Sequence, residues 1–434
     1  MSFRLMLYLM TVLINVIAYM AMGYTVKKFL KPSRQSPALM AIAALVLLLN
    51  LPLLFLFDRR AGGILYGLSP EVLRAIFLPT SVWMSTLITF MMLAIPACVV
   101  VFLLKNILSL ANRASKRGIS DLSFRPDLPE SSRGLSRREL IIGGGSLLIP
   151  AYIGVTSYKA YSSMDKIDIS SERPIRIPHL PMSMAGLRVV QISDLHVGPF
   201  IGEIILQQVV HLINELHPDL VLITGDIIDR SLSDLPKALR GMKGIQSTLG
   251  TYAILGNHDI SSDAYSRSGK LLGGINIVRG LDSIGIKTLR NEVTYVGPGR
   301  DRLALLGLDW LSHAGDRRFY SYRRPETRNQ LHFMMEQIKP EIPSILLAHH
   351  PDTFGDSAPL GIGLTLSGHT HGGQVVLANI DGAPISIAAS RFRYLSGLYQ
   401  LNGTSLYVNR GIGYFGIPVR INCLPEISRF KLVS

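Results

Sequence analysis

Five short polar clusters in the second half of the chain combine histidine, aspartate and asparagine in patterns that suit metal-ion chemistry. In chain order they are Asp194-Leu195-His196, Gly225-Asp226-Ile227-Ile228-Asp229, Gly256-Asn257-His258-Asp259, Ala348-His349-His350 and Gly368-His369-Thr370-His371. Imidazole, carboxylate and amide oxygen without thiolate suit Mn²⁺, Fe or Zn²⁺ better than Ca²⁺ or Mg²⁺. Because these ligands are too many for one ion, the clusters predict two cations bridged by a carboxylate.

The elements that must position these clusters are short runs typical of buried strands. The predicted strands are Leu187–Ile192, Leu220–Thr224, Tyr252–Leu255, Leu303–Leu306, Ser344–Leu347, Leu364–Leu366 and Ser405–Val408. The pattern of Ile204–Leu216 predicts an amphipathic helix between the first two. Strands that alternate with helices indicate an α/β core, and the later strand-rich segments predict a second sheet. Ligands bind at the carboxyl ends of such strands, so we expect the clusters to converge there.

The ordered motifs D-x-H, G-D-x-x-D, G-N-H-D, H and G-H-x-H resemble the signature of the calcineurin-like metallophosphoesterases over roughly Leu187–Val433. The motif G-H-T-H-G-G-Q and the segment Asn409-Arg410-Gly411 resemble those of the membrane-associated or exported bacterial subgroup. The resemblance implies an α/β domain with a two-sheet β-sandwich flanked by helices. It also implies hydrolysis of phosphoester or pyrophosphate bonds at a dinuclear metal centre.

The resemblance assigns a role to each matching residue. The implied ligands of the first cation are Asp194, His196 and His371, those of the second are Asn257, His349 and His369, and Asp226 bridges the two. His258 is implied as a general acid or charge stabiliser, oriented by Asp259. Asp229 is predicted to form supporting hydrogen bonds rather than to bind a metal.

Two adjacent histidines occupy the stretch where the family needs one ligand. The family commonly has the motif H-x-P, and Pro351 stands two residues after His349, so the resemblance favours His349 over His350. The other histidine would then lie on the substrate side or support a ligand.

Two arginine pairs leave alternatives open. Arg410 and Arg420 either bind a substrate phosphate through their forked donors or form surface ion pairs. Arg391 and Arg393 either contact anionic lipid headgroups or belong to an ordinary solvated loop.

The first third of the chain has the character of a membrane anchor. The chain is 48% hydrophobic and only 17% charged, and its uncharged apolar stretches predict four α-helical transmembrane spans at about 5–26, 36–57, 75–104 and 140–158. Residues 1–160 are therefore predicted as the anchor, 161–186 as a linker and 187–434 as the metallophosphoesterase domain. The spans contain no charged residue, and Asn15 and Asn50 are their clearest polar residues, which favours an anchor over a transporter.

The excess of basic over acidic residues lies mainly beside these spans. Residues 1–165 contain 17 Lys and Arg against 7 Asp and Glu, out of a net charge of +14, so no nucleic-acid partner is predicted. Basic loops at 27–34 and 105–138 are predicted to be cytoplasmic, which places the C-terminal domain outside the bacterial inner membrane if there are four spans. Ser136-Arg137-Arg138-Glu139-Leu140 is either an internal twin-arginine signal or an ordinary basic flank. If the fourth span fails to cross, the domain is cytoplasmic.

The sequence thus predicts a membrane-anchored, metal-dependent phosphoesterase that acts on a phosphorylated small molecule or lipid and contacts membrane lipids. The resemblance gives a lipid-linked substrate such as UDP-2,3-diacylglucosamine as the specific expectation. The alternative is a non-catalytic membrane sensor or scaffold that retains the metal-binding fold. Two cysteines in 434 residues exclude a disulfide framework.

Overall fold

The computed structural model describes residues 31–57, 166–262, 274–297, 301–310, 324–380, 383–416 and 418–434, with scattered positions between 12 and 159. The chain forms two compact units. One comprises Met1–Asn50 and Val82–Tyr158, and the other comprises Leu51–Ser81 and Lys159–Ser434.

A 26-residue helix, Pro32–Phe57, is the longest helix that the structure describes. Within the described part of the chain, its segment Pro32–Pro52 is the one stretch long and apolar enough to cross a membrane. The predicted span at 36–57 falls within this helix. A shorter apolar helix covers Ala75–Met84. The predicted spans at 5–26, 75–104 and 140–158 otherwise lie largely outside the described residues.

Polar side chains inside the first unit bond to one another. The amides of Asn15 and Asn50 exchange hydrogen bonds of 3.0 and 2.8 Å, and the indole N–H of Trp83 donates to Oδ1 of Asn15 at 2.9 Å. Such bonds between helices contribute about 0.6–2 kcal/mol in a membrane. The two polar residues that interrupt the predicted spans are thus explained by contacts between segments.

Within the described residues, the second unit contains a domain with fifteen strands. They are β1 (Asp168–Ile169), β2 (Arg173–Arg176), β3 (Arg188–Ile192), β4 (Leu220–Ile223), β5 (Thr251–Ala253), β6 (Ile286–Thr288), β7 (Glu292–Val296), β8 (Leu303–Leu308), β9 (Ser344–Ala348), β10 (Leu364–Ser367), β11 (Ala378–Ile380), β12 (Ala383–Ile385), β13 (Gly397–Leu401), β14 (Thr404–Val408) and β15 (Glu426–Val433). Every strand predicted from the sequence is present, with ends shifted by one or two residues.

The strands form two large sheets and a hairpin. The first sheet has the order β1-β15-β3-β4-β5-β6, with β2 also paired to β15, and the second has the order β13-β14-β10-β9-β8-β7. Strands β3 to β6 pair in parallel, as do β8, β9, β10 and β14. Parallel strands end at the same edge of a sheet, so the loops that follow them lie together.

Alternation along the strands separates the apolar side chains into three layers. In β3, Val189 joins a core shared with residues of the second sheet such as Leu305 and Leu366, whereas Val190 faces the helical side. The helices of the described domain are Glu203–Glu215, Leu235–Met242, Asn257–Ser262, Ile275–Ser283, Arg324–Met335 and Phe354–Ser357. The first two, together with Asn257–Ser262 and Ile275–Ser283, pack on the first sheet, and Arg324–Met335 packs on the second. This two-sheet sandwich with helices outside is the fold class that the sequence predicts.

Candidate metal centre

The predicted site residues follow the carboxyl ends of five parallel strands from both sheets. Those after strands of the first sheet are Asp194 and His196 (β3), Asp226 (β4) and Asn257 (β5), and those after strands of the second are His349 (β9), His369 and His371 (β10). All are buried or nearly so, because both sheets and their loops surround them. The fold thus brings together polar groups that are up to 177 residues apart in sequence.

Two glycines permit the close packing of these loops. A Cβ on Gly256 would lie 2.1 Å from Oδ1 of Asp226, and a Cβ on Gly368 would lie 2.2 Å from Oδ2 of Asp194. Both distances are far below van der Waals contact, so any larger residue would displace a carboxylate.

Five candidate ligands have left-handed backbone conformations that non-glycine residues rarely adopt. Their φ angles are 49° at Asp194, 46° at His196, 55° at Asp226, 70° at His369 and 51° at His371. Each such residue costs on the order of 1 kcal/mol, and the cost persists only where surrounding contacts fix the backbone. Five of the eleven non-glycine residues with positive φ in the described part of the chain are candidate ligands, which indicates that the fold imposes their positions.

The ligand atoms form three overlapping clusters. Asp194, His196 and His371 make one, His196, Asp226 and His258 the next, and Asp226, His349 and His369 the third, with the atoms of each within 4.8 Å of one another. Asp226 joins two of them, since its Oδ2 lies 3.5 Å from Nε2 of His196 and 3.2 Å from Nε2 of His349. This sharing is the arrangement expected of a carboxylate between two cations.

The donors present fit a pair of divalent cations. Oδ1 of Asn257 is buried and has no hydrogen-bond partner among the described residues, and the buried Nε2 of His349 faces Oδ2 of Asp226 at 3.2 Å. Leaving a buried acceptor unsatisfied costs about 1–3 kcal/mol, so the amide oxygen of Asn257 calls for a partner of another kind. Imidazole, carboxylate and amide donors suit Mn²⁺, Fe or Zn²⁺.

The structure distinguishes the two adjacent histidines. Nδ1 of His349 donates to the carbonyl of Thr224 at 2.6 Å, which directs its Nε2 toward Asp226. His350 belongs to none of the clusters found among the described residues, and its Nδ1 accepts from the N–H of Asp352 at 3.2 Å. Burial lowers the pKa of His350 to about 3, so its ring is neutral. His349 is therefore the histidine that faces the shared carboxylate.

Asp229 is the residue that orients His258. Nδ1 of His258 lies 2.5 Å from the backbone carbonyl of Asp229, which can only accept, so Nδ1 carries the proton. The Asp229 carboxylate lies 3.4 Å from Nδ1 of His258 and 3.4 Å from Nδ1 of His196. Burial raises the pKa of Asp229, but hydrogen bonds from these two rings outweigh burial and bring it below its ordinary value.

This geometry corrects the role predicted for Asp259. Its carboxylate contacts backbone rather than His258, accepting from the N–H groups of Ile227, Ile228 and Gly256 at 2.9, 3.1 and 2.9 Å. Burial, with the charge of Asp226, raises the pKa of Asp259 to about 6. Asp259 therefore fixes the loops that carry Asp226 and Asn257, and the orientation of His258 comes from Asp229.

Arg410 and Arg420 both donate to groups of the protein itself. Nε of Arg410 donates to Glu426 at 2.7 Å and its Nη2 to Asp168, so this residue forms ion pairs with one buried carboxylate, Glu426, and one partly exposed carboxylate, Asp168. Arg420 is fully buried and donates to protein atoms including the carbonyl of Gly413 at 2.6 Å. The surface ion-pair alternative is wrong for Arg420 because it has no carboxylate partner among the described residues.

Aromatic rings border the site, and the sequence analysis did not identify them. The ring of Phe392 meets that of His369 edge to face at 5.5 Å, and Trp310 lies 5.3 Å from the same histidine. On the other side, the ring of Phe415 lies 6.3 Å from that of His371 and is 41% exposed. These residues come from three separate loops, so only the proximity of Phe415 to the Asn409-Arg410-Gly411 segment could have indicated one of them.

Comparison with known proteins gives one consistent family. The profile described as calcineurin-like phosphoesterase matches residues 187–373. A zebrafish (Danio rerio) "Transmembrane protein with metallophosphoesterase domain" is 33% identical over 314 residues, which are 69% of this chain and 66% of that protein. The "Uncharacterized metallophosphoesterase YkuE" of Bacillus subtilis is 30% identical over 69% of this chain and 98% of its own length. "Phosphodiesterase YaeI" of Escherichia coli is 27% identical over 59% of this chain and 86% of its own.

The chain therefore belongs to the calcineurin-like metallophosphoesterase family, as its motifs predict. It spans 66% of the zebrafish relative and 55% of a bovine relative with the same description. The name of these two relatives also agrees with the apolar helix Pro32–Phe57 at the N-terminal end of this chain.

Proposed function

We propose that this protein hydrolyses phosphoester or pyrophosphate bonds with two divalent cations bound at the candidate metal centre. The observation that carries the proposal is the position of Asp226, whose Oδ2 lies within 3.5 Å of His196 on one side and His349 on the other. One carboxylate between two sets of buried donors suits two-cation chemistry.

Each cation has its own set of donors in this proposal. Asp194, His196 and His371 would hold the first, Asn257, His349 and His369 would hold the second, and Asp226 would serve both. When bound, such a pair supplies Lewis acids that lower the pKa of water and neutralise charge on a phosphoryl group. The chain contributes rigid donors, since Asp194 accepts the N–H of His369 at 3.0 Å and thereby ties the two donor sets together.

His258 is the proposed proton donor for the leaving group. Its backbone N–H donates to Oδ1 of Asp226 at 2.8 Å, which fixes the residue beside the shared carboxylate. Because Nδ1 is bonded to the carbonyl of Asp229, Nε2 is the nitrogen that can exchange a proton with the departing oxygen.

A substrate with an apolar portion, such as a lipid-linked phosphoester, is the finer proposal, and UDP-2,3-diacylglucosamine is one example. The ring of Phe392 lies beside that of His369, and the ring of Phe415 lies beside that of His371. Ile387, in the short helix Ile387–Ser390, is half exposed, and Arg393 is exposed. Apolar and cationic groups at one rim suit the boundary between an acyl chain and an anionic headgroup. The Escherichia coli relative called a phosphodiesterase supports a diester as the bond attacked.

The test is a metal and substrate survey of the full chain purified in detergent. After chelation, the protein receives Mn²⁺, Zn²⁺ or Fe²⁺ and is assayed with p-nitrophenyl phosphate, bis(p-nitrophenyl) phosphate and a sugar-nucleotide diacyl lipid. We expect turnover only with added cation, and the highest kcat/KM with the lipid. A chain that binds two cations and turns over none of the three substrates would instead be the non-catalytic sensor or scaffold.

We further propose that residues 1–160 anchor the protein in a bacterial inner membrane, with residues 187–434 on the extracytoplasmic side. Four spans place the loop before Ala75 and the C-terminal domain on the same side. The ring of Phe77, fully buried in the second unit, meets that of Phe200 in the domain edge to face at 5.2 Å, which supports this arrangement. Alkaline phosphatase fused after Ser434 is expected to be active and green fluorescent protein at the same position dark; the reverse pattern contradicts the proposal.

A further inference from the structure

Arg420 is the largest fully buried side chain in the described part of the protein, and it lies directly behind a candidate metal ligand. Its Nη2 donates to Nδ1 of His371 at 3.2 Å, and its Nη1 lies 3.3 Å from the backbone carbonyl of His371. None of its hydrogen-bond partners among the described residues is a carboxylate. Burying a guanidinium without a counter-ion is unfavourable, so its donors must serve a positional purpose.

A second set of hydrogen bonds connects Arg420 to Asp194. Nε and Nη2 of Arg420 donate to the carbonyl of Gly413 at 3.1 and 2.6 Å. The N–H of Gly413 in turn donates to the carbonyl of Asp194 at 2.7 Å, and the N–H of Ile412 donates to that of Ser193 at 3.0 Å. The loop at Ile412 and Gly413 therefore links the guanidinium to the backbone of Asp194 through hydrogen bonds.

Both ends of this connection need external support. Asp194 and His371 have φ angles of 49° and 51°, conformations that these residues do not hold unaided. Oδ1 of Asp194 nevertheless lies 3.5 Å from Nε2 of His371, the spacing of two ligands of one ion. A planar guanidinium has five donors in a fixed geometry, so one side chain can fix both segments at once, which an ammonium cannot do.

We propose that Arg420 is a positioning residue for the first cation site, holding Asp194 and His371 at the separation that one divalent cation requires. The inference rests on the proposed two-cation function. A positive charge so close to a cation opposes its binding, so the contribution of Arg420 comes from geometry and not from charge. Removing the guanidinium should weaken cation binding at the first site. The donors of the second site should remain in place, and these are Asn257, His349 and His369.

The test measures Mn²⁺ binding by the full chain with Arg420→Gln and Arg420→Lys, using equilibrium titration and electron paramagnetic resonance. Wild type is expected to bind two ions per chain, with the exchange-coupled signal of a close pair. Both variants should bind one ion at wild-type affinity and the other about 10–100-fold more weakly, as is usual when a group that orients a ligand is removed. At limiting Mn²⁺ they should then give the signal of an isolated ion.

Arg429→Gln is the matched control, because Arg429 also donates to a backbone carbonyl, that of Ser170 at 2.9 Å, but contacts no candidate ligand. It should keep both ions. The lysine variant retains the aliphatic chain and the positive charge, so it is expected to fold even if the glutamine variant does not. The melting temperature of each variant without cations measures whether it is folded. Two ions bound at wild-type affinity in the lysine variant would overturn the inference and leave the proposed function standing. A wild-type chain that binds no ion pair would instead refute the proposed function.

Discussion

Asp226→Asn is expected to lower kcat for hydrolysis of bis(p-nitrophenyl) phosphate by about 10³-fold. The Asp226 carboxylate is the one carboxylate shared by two of the ligand clusters found among the described residues, and replacing it with a neutral amide removes both a carboxylate oxygen and a negative charge. A loss of about 4 kcal/mol in transition-state stabilisation corresponds to this factor. The measurement is kcat and KM at saturating Mn²⁺, together with the number of ions bound per chain.

The control for this variant is Asp282→Asn, the same chemical change on the exposed side of the helix Ile275–Ser283. Its kcat should equal that of wild type. Asp226 also accepts the backbone N–H of His258 at 2.8 Å, a bond that an asparagine Oδ1 can still accept, so the loop should remain in place. Wild-type turnover by Asp226→Asn with two bound ions would show that the shared carboxylate is not needed, which contradicts the proposed centre.

The sequence could predict the sheets and the general position of the site because parallel strands have a simple signature. Strand β4, with the sequence Leu-Val-Leu-Ile, is buried at every position, and the predicted strand Leu220–Thr224 exceeds it by one residue. The polar cluster after it can then lie only in the loop at the carboxyl end of the strand. Order along the chain and strand direction therefore predict which residues meet, without any knowledge of distances.

Hydrogen-bond partners were not predictable in the same way. Asp259 follows His258 directly in the sequence, yet its carboxylate caps the backbone N–H groups of neighbouring loops, and Asp229 contacts the imidazole instead. Both aspartates have the right chemistry, and only the loop conformations decide between them. Arg420 is a related case, since its type and position suggest the surface whereas the structure buries it. An arginine is rarely buried without a carboxylate, so general expectation favoured the wrong alternative.

The left-handed backbone at Asp194, Asp226 and His371 explains why the site needs so much support from outside itself. Each strained residue is held by hydrogen bonds from another loop, such as that from the N–H of His369 to Asp194. The stability of the two-sheet core offsets this local cost. Substitutions in the supporting loops should therefore change metal binding before they change the fold.

His258→Ala is expected to lower kcat by about 10²–10⁴-fold for a diester with an alkyl leaving group, the usual range for loss of a general acid. An alkoxide needs a proton as it departs, whereas p-nitrophenolate leaves readily without one. The loss should therefore be at least tenfold smaller with bis(p-nitrophenyl) phosphate, by the same reasoning on proton demand. Both substrates are measured at saturating Mn²⁺, and His211→Ala, an exposed helical histidine paired with Glu215, is the control that should leave both rates unchanged.

The comparison of leaving groups separates the two roles that the motif allows for His258. A proton donor gives a loss that grows with the basicity of the leaving group, whereas a residue that only stabilises charge on the phosphoryl oxygens gives equal losses for both substrates. The structure favours the donor, because the carbonyl of Asp229 holds the proton on Nδ1 and so directs Nε2 to the reaction. Equal losses of kcat for the two substrates, with two ions still bound, would contradict proton donation by His258. In that case the loss of kcat in Asp229→Asn should not depend on the leaving group either.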